Sequence, residues 1–179
     1  LRVRQAIEDQ QVLAPAVEPI LQVLAATRTQ LAAYDKKVRQ WAREDAVARQ
    51  LMSAPGVGTV VALTYMSAVG DPARFKRSSS VAAYFGMTPS RYQSGEVDRP
   101  GRISRRGDCM VRSCLFEAAK VIVSRSAKPS ALQSWGRDLA ERIGNKKATM
   151  AVARKLAVIL HRMWRDGTFF QGGLRAVSA

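Results

Sequence analysis

Apolar residues recur every seven positions near the start of the chain, at Val17, Leu24, Leu31 and Val38. Ile20, Tyr34 and Trp41 fill the companion positions, with Thr27 as the polar member. That spacing predicts helix over the first fifty residues, interrupted early by Pro15 and Pro19 and in heptad register after the second proline. Such a stripe suits an antiparallel hairpin or a dimeric coiled coil. It suits equally a helix lying on its own domain. The arm is favoured because the helix runs far ahead of the first loop signal and carries Lys36, Lys37, Arg39 and Arg43 on its flanks.

Beyond Leu51 the pattern changes to short helices with turn residues between them. Pro55-Gly56-Val57-Gly58 predicts a tight turn, Thr59 to Val69 an apolar helix, and Gly70-Asp71-Pro72 its stop. One of Ser78, Ser79 and Ser80 is expected to cap a short helix burying Val81, Ala82, Tyr84 and Phe85. Residues 87–107 hold Gly95, Pro100, Gly101 and Gly107 and predict a long loop or an irregular pair of short strands. Asp108 is positioned to cap a helix to about Ser126, with Leu115, Phe116, Ala119, Ile122 and Val123 on one face. Pro129 separates a helix from Ser130 to Ile143. Gly144-Asn145 precedes a last helix to about Arg165, with Val152, Ala153, Leu156, Leu160, Met163 and Trp164 inward. Arg154, Lys155, His161, Arg162 and Arg165 are expected outward. The fold class is therefore mainly α: an arm over 1–50, a compact helical domain over 51–170 with one long basic loop, and a loose tail over 171–179, the chain running Gly-rich after Gly167.

Charge narrows the function classes. Lys and Arg number 29 against 14 Asp and Glu, a formal net charge of +15 in 179 residues. A field of that sign draws polyanions, so nucleic acid is the first candidate partner and an acidic membrane surface the weaker one. No apolar run approaches the roughly 20 residues of a membrane span. No signal peptide is seen, so a cytoplasmic setting is expected; the start at Leu1 rather than Met suggests a trimmed chain. Cys109 and Cys114 fit no zinc spacing and are expected to be reduced packing residues.

The candidate chemistry lies between Leu51 and Arg112. Gly56 and Gly58 would let backbone approach a phosphate, and the helix after them begins with free N–H groups. A purely structural turn is the plain alternative. Arg91, Arg99, Arg102, Arg105, Arg106 and Arg112 are all arginine, which suits forked contacts to phosphate, and Tyr92 could stack on a base or ribose. Ser94, followed by Gly95, is a candidate nucleophile if the phosphate charge beside it is neutralised. On spacing alone, Ser-Gly is equally a turn. His161 is expected on an outer face, solvated or touching phosphate, and no base sits beside Ser94. Glu96 and Asp98 balance the arginines better than they bind metal, so no metal site or cofactor is expected in this chain.

These segments, taken in order, resemble the C-terminal transposase domain of the serine-nucleophile, DEDD-type insertion-sequence transposases, a group that includes the bridge-RNA-guided recombinases and the pilin-gene invertase. The resembling run begins at Pro55-Gly56-Val57-Gly58 and passes through Gly70-Asp71-Pro72-Ala73-Arg74-Phe75 and Ala82-Ala83-Tyr84-Phe85-Gly86-Met87-Thr88-Pro89. It continues with Arg91-Tyr92-Gln93-Ser94-Gly95 and Gly101-Arg102-Ile103-Ser104-Arg105-Arg106-Gly107, and closes with Arg112 and the helix after it. It spans about 51–165. Arg105 stands where the family commonly has Lys, which keeps the charge. The resemblance implies that Ser94 forms a transient phosphoserine link to DNA, with Gly56, Gly58, Arg91, Tyr92, Gly95, Arg99, Arg102, Ser104, Arg105, Arg106 and Arg112 around nucleic acid. It implies a helix-hairpin-helix element at the glycine turn. It also implies that residues 1–50 lead to a RuvC-like domain outside this chain, whose four acidic residues bind Mg²⁺ and complete a composite site. DNA is then the partner, a guide (bridge) RNA a second candidate, a homo-oligomer through the arm is expected, and no membrane is involved. Two rivals remain at this level: a non-catalytic nucleic-acid-binding module, and an oligomerisation part whose charge is incidental.

Overall fold

The computed structural model describes residues 13–94, 97–125 and 130–172. The chain divides into two compact units, Leu1–Trp41 and Ala42–Ala179. The fold is mainly α, with seven helices and one two-stranded sheet among the described residues.

Helix α1 runs Ala14–Glu44 and carries Pro19 inside it. Pro19 therefore does not interrupt the helix as the sequence suggested, while Pro15 stands in its first turn and the residues before 13 lie outside those described. Pro19 falls so near the amino terminus that only the Pro15 carbonyl loses its partner four residues on. The seven-residue stripe is exposed on this helix: Ile20 is 66%, Leu31 59%, Tyr34 62% and Trp41 60% accessible. The break comes later than expected from the prolines and earlier than residue 50. Asp45 caps a new helix, α2 (Ala46–Leu51), by accepting from the Ala48 N–H at 2.7 Å.

Helix α3 (Thr59–Val69) follows the glycine turn, and a 3-10 turn (Pro72–Arg74) leads to α4 (Ser79–Tyr84). Strands β1 (Pro89–Ser94) and β2 (Val97–Ile103) form an antiparallel hairpin. Helices α5 (Cys109–Arg125), α6 (Ala131–Ile143) and α7 (Asn145–Asp166) complete the domain. The cap anticipated at Asp108 is made, its Oδ1 accepting from the Met110 and Val111 N–H groups, and Ser130 Oγ accepts from that of Gln133 at the start of α6.

The centre of the second unit is α7, which packs against α2, α4, α5, α6 and the 3-10 turn. Its Val152, Leu156 and Leu160 meet Leu51, Tyr65, Phe85, Leu115 and Ile122, all fully buried in one cluster. Each such side chain contributes about 1.5–3 kcal/mol of burial. Tyr65 carries the one phenol of that centre. Its Oη donates to the Ala157 carbonyl at 2.7 Å, and burial pushes its pKa well above the ordinary tyrosine value. The folded state thus holds a neutral donor where an unfolded chain ionises near pH 10. Stability from this group is complete below about pH 10 and is lost as pH rises beyond it. Tyr65→Phe is expected to cost about 1–2 kcal/mol at neutral pH and to make unfolding less sensitive to alkali. Urea melts at pH 7 and pH 10.5 check both; equal alkaline slopes for the two proteins would contradict the assignment.

Several expectations are corrected by the packing of this unit. His161 is not on the outer face; it is fully buried, with Nδ1 at 3.0 Å from Ser78 Oγ and Nε2 at 3.0 Å from the Pro72 carbonyl. A single polar residue in an outward stripe cannot be told from one reaching a neighbouring segment by periodicity alone. Ser78 is the residue ahead of α4, but its hydroxyl meets His161 rather than capping the helix. Cys109 is exposed rather than packed. The chain after Gly167 is also anchored at first: Gln50 Nε2 donates to the Met163 and Thr168 carbonyls, and the Phe170 N–H donates to Ser53 Oγ at 2.9 Å. Residues 173–179, most of the expected loose tail, lie outside the described residues.

Candidate functional site

The glycine turn joins α2 to α3 and is built by its own backbone. The Val57 N–H bonds to the Ala54 carbonyl at 3.1 Å, while Ala54 and Val57 are buried. Gly56 has φ +75°, and a Cβ there would overlap the Ala118 carbonyl oxygen of α5. Packing alone therefore requires glycine at 56. Gly58 differs: it is exposed, stands at the amino-terminal cap of α3, and a Cβ there would meet nothing within 4 Å. The open side of this turn is at Gly58.

Residues 87–107 form the hairpin rather than a loop. Its register pairs Arg91 with Pro100, Tyr92 with Arg99, Gln93 with Asp98 and Ser94 with Val97, with an irregularity between Pro89 and Arg91. The hairpin's strand alternation is weak in sequence because Pro100 and Gly101 fall inside β2. Ser94 occupies the last described position of β1 and the final pair of the ladder. Gly95 and Glu96 lie outside the described residues.

The arginines are strung along this ribbon rather than gathered at one point. Arg91 and Arg99 lie within three residues of Ser94 or its partner along the register. Arg102, Arg105 and Arg106 are exposed at the base. The strand rise puts that base about 17 Å along the ribbon from Ser94.

The base is held firmly. The Ser104 N–H bonds to the Thr88 carbonyl at 2.9 Å, and that of Arg105 to the Gly86 carbonyl at 3.0 Å. Arg112 donates from Nη1 to the Phe85 and Gly107 carbonyls at 3.1 and 2.7 Å. Arg112 therefore braces the hairpin base from α5, a role that sequence did not suggest. Arg105 is the non-glycine residue with positive φ among those described, at 56°. Holding an arginine there costs about 1–2 kcal/mol, and its side chain is exposed, so no burial offsets the cost. Neither feature has a sequence signal, since both depend on where Gly86 and Gly107 meet.

His161 is too engaged to serve Ser94 as a base, given its burial and its two partners. Among the described residues, no three of His, Cys, Asp and Glu come together in a group that could hold a metal ion. Among the described residues, no helix is long and apolar enough to cross a membrane.

The chain matches the family model described as the Transposase IS116/IS110/IS902 family over residues 48–135. The transposase for insertion sequence element IS1111A of Coxiella burnetii is 31% identical over 71% of this chain and 35% of its own length. A probable family 20 transposase of Pseudomonas aeruginosa is 28% identical over 84% of this chain and 45% of its own. A 42 kDa protein of insertion element IS900 from Mycobacterium paratuberculosis is 26% identical over 97% and 43%. The chain thus spans between about a third and under half of the curated relatives it matches. The matched stretch runs from α2 through the glycine turn, the braced hairpin and α5 into α6, and over those residues the chain is similar to the transposase domain of the IS116/IS110/IS902 family.

Proposed function

We propose that this chain is the part of a DNA transposase that supplies the nucleophile, and that Ser94 is that nucleophile. The observation that supports it is the hairpin register: Ser94 stands at the far end of a basic ribbon whose base is fixed to the helical core. In the reaction, Ser94 Oγ attacks a DNA phosphorus. An Oγ–P bond forms as the bond from phosphorus to one deoxyribose oxygen breaks. The hydroxyl proton passes to a base outside this chain, and the leaving oxygen takes up a proton. Arg91 and Arg99, near Ser94 in register, neutralise the phosphate, and Tyr92 contacts the adjoining nucleotide. Arg102, Ser104, Arg105 and Arg106 contact nucleic acid toward the base, Gly95 contacts it beside Ser94 in sequence, and Arg112 positions the ribbon. Gly56 and Gly58 form a helix-hairpin-helix element, in which the open Gly58 side approaches a backbone phosphate.

Mg²⁺ would be held by the acidic residues of a RuvC-like domain elsewhere in the full-length protein, where it would complete the composite site. The substrate is bacterial DNA in the cytoplasm, at the nucleoid, and a guide RNA is the candidate for choosing the target. Trapping an adduct from the full-length protein and mapping it by peptide mass tests the reading. Phosphoserine at position 94 is expected; recombination with the link at another residue, or with none, would remove it.

The arm joins two copies of the protein in this reading. Ile20, Leu24, Leu31, Tyr34 and Trp41 keep heptad spacing and are exposed on α1, which suits a second identical helix. Leu24→Asp combined with Leu31→Asp is expected to convert the chain from dimer to monomer in sedimentation velocity. A wild-type chain that sediments as a monomer at all concentrations up to about 100 μM would refute the pairing.

The non-catalytic alternative, a module that only binds nucleic acid, shares every arginine with this reading. It differs at Ser94 alone, where it predicts no adduct.

A further inference from the structure

A second basic surface reaches the hairpin base at Thr88, the residue ahead of β1, but includes no residue of the β1–β2 ladder. It is a groove of about 900 Å³ between α4, α6 and α7. Four of its cations come from α7: Arg154, Lys155, Arg162 and Arg165. Lys76 and Arg77, ahead of α4, face them across it. No Asp or Glu lines the groove.

Helical spacing explains the stripe. Arg154, Val158, Arg162 and Arg165 fall on one face of α7, and the cations extend about 16 Å along its axis. That face is outward because the opposite one, Val152, Leu156, Leu160 and Met163, is spent on the core. Arg154, Arg162, Lys76 and Arg77 are exposed. Among the described residues, Arg165 alone of the six has a carboxylate within ion-pair distance, Asp166 at 2.7 Å. The Arg165 guanidinium holds the Asp166 carboxyl below its ordinary range, with Arg162 adding to the effect.

Keeping six like charges together with one ion-paired carboxylate among the described residues stores repulsion, which a bound polyanion relieves. The groove's aromatic ring, Trp135, is already covered by Lys155 Nζ at 4.4 Å from its centroid. That ammonium competes with a nucleic-acid base for the ring, which disfavours the stacking that single strands use. Several cations in a line without a stacking platform suit the regular phosphates of one strand of a duplex.

We infer that the groove between α4, α6 and α7 is a second nucleic-acid site that takes the phosphodiester backbone of duplex DNA, separate from the Ser94 hairpin. It does not depend on Ser94 being a nucleophile, because it concerns binding alone. It gives the domain two points of attachment, one at the ribbon and one on the last helix.

The test uses the full 179-residue chain and a fluorescein-labelled 20-base-pair DNA duplex of mixed sequence, with anisotropy read across a salt series (a probe length of about two helical turns). Arg154→Gln with Arg162→Gln is compared with Lys146→Gln with Lys147→Gln, which removes equal charge from exposed positions of α7 outside the groove. The groove pair is expected to weaken binding about tenfold or more at 100 mM salt and to make the slope of log K against log salt shallower by about 2, near 0.9 per phosphate contact. The control pair should change the slope little. Equal losses from both pairs would mean diffuse charge and would overturn the site. No loss from the groove pair, or a loss confined to a single-stranded probe, would overturn it as well. Circular dichroism melts establish that each variant is folded before its binding is read. Failure of the Ser94 reading would leave these slopes untouched, so the two ideas fall separately.

Discussion

If Ser94 is the nucleophile proposed above, Ser94→Ala in the full-length protein is expected to abolish covalent protein–DNA adducts while leaving DNA affinity within about twofold of wild type. The first half follows from chemistry. Alanine has no oxygen to bond to phosphorus, and a water taking its place would give free DNA ends rather than a protein-linked product. Strand exchange that passes through the link should therefore fall by at least about 10⁴-fold. The second half follows from position. Ser94 ends a two-stranded ladder whose fixed point is at the other end, where Arg112 and the Ser104 and Arg105 N–H groups tie the ribbon to the core. Removing one hydroxyl at the far end leaves those ties and every arginine in place. Denaturing gels of reactions stopped mid-course measure the adduct, and anisotropy measures affinity. Wild-type adduct yield from the alanine variant would exclude Ser94 as the nucleophile. A large loss of affinity would instead make it a binding residue.

Gly56→Ala and Gly58→Ala should behave oppositely although they sit two residues apart. Alanine at 56 must hold φ +75° and place its methyl onto the Ala118 carbonyl of α5, a backbone atom that cannot swing aside. The left-handed conformation costs about 1–2 kcal/mol, and overpacking adds about 1–3 more. A domain with a typical margin of about 5–15 kcal/mol would lose a large share of it. Gly56→Ala is therefore expected to lower Tm by about 10 °C or more, or to prevent folding. At 58 the backbone has φ −93° and the added methyl meets nothing, so Gly58→Ala should shift Tm by less than about 2 °C. If the Gly58 side approaches a phosphate, that variant loses DNA affinity without losing stability. Thermal melts of both variants and DNA titration of Gly58→Ala separate the roles. Equal, small Tm shifts would show that α5 yields at Ala118.

Much of the domain could be read from its pattern because its elements are local. The α5 cap at Asp108, the α6 start at Ser130, the stop at Gly70 and the inward face of α7 each follow from residues within one or two turns. The hairpin was half legible. Pro100 and Gly101 obscure strand alternation, so only the pairing partner settles strand against loop. His161 was misread because its partners, Ser78 and Pro72, lie more than eighty residues away.

By itself the sequence determined a basic, mainly α chain with a heptad stripe, a glycine turn, and an arginine-rich segment holding Ser94, since charge, periodicity and turn chemistry are properties of neighbouring residues. Only the tertiary structure decided which glycine is closed by packing and which is open, that Arg112 braces the hairpin, that the arginines run along a ribbon instead of forming one cluster, and that Lys76 and Arg77 meet the outer stripe of α7. Each of those depends on which distant backbone comes close, and long-range contact leaves no period in the chain.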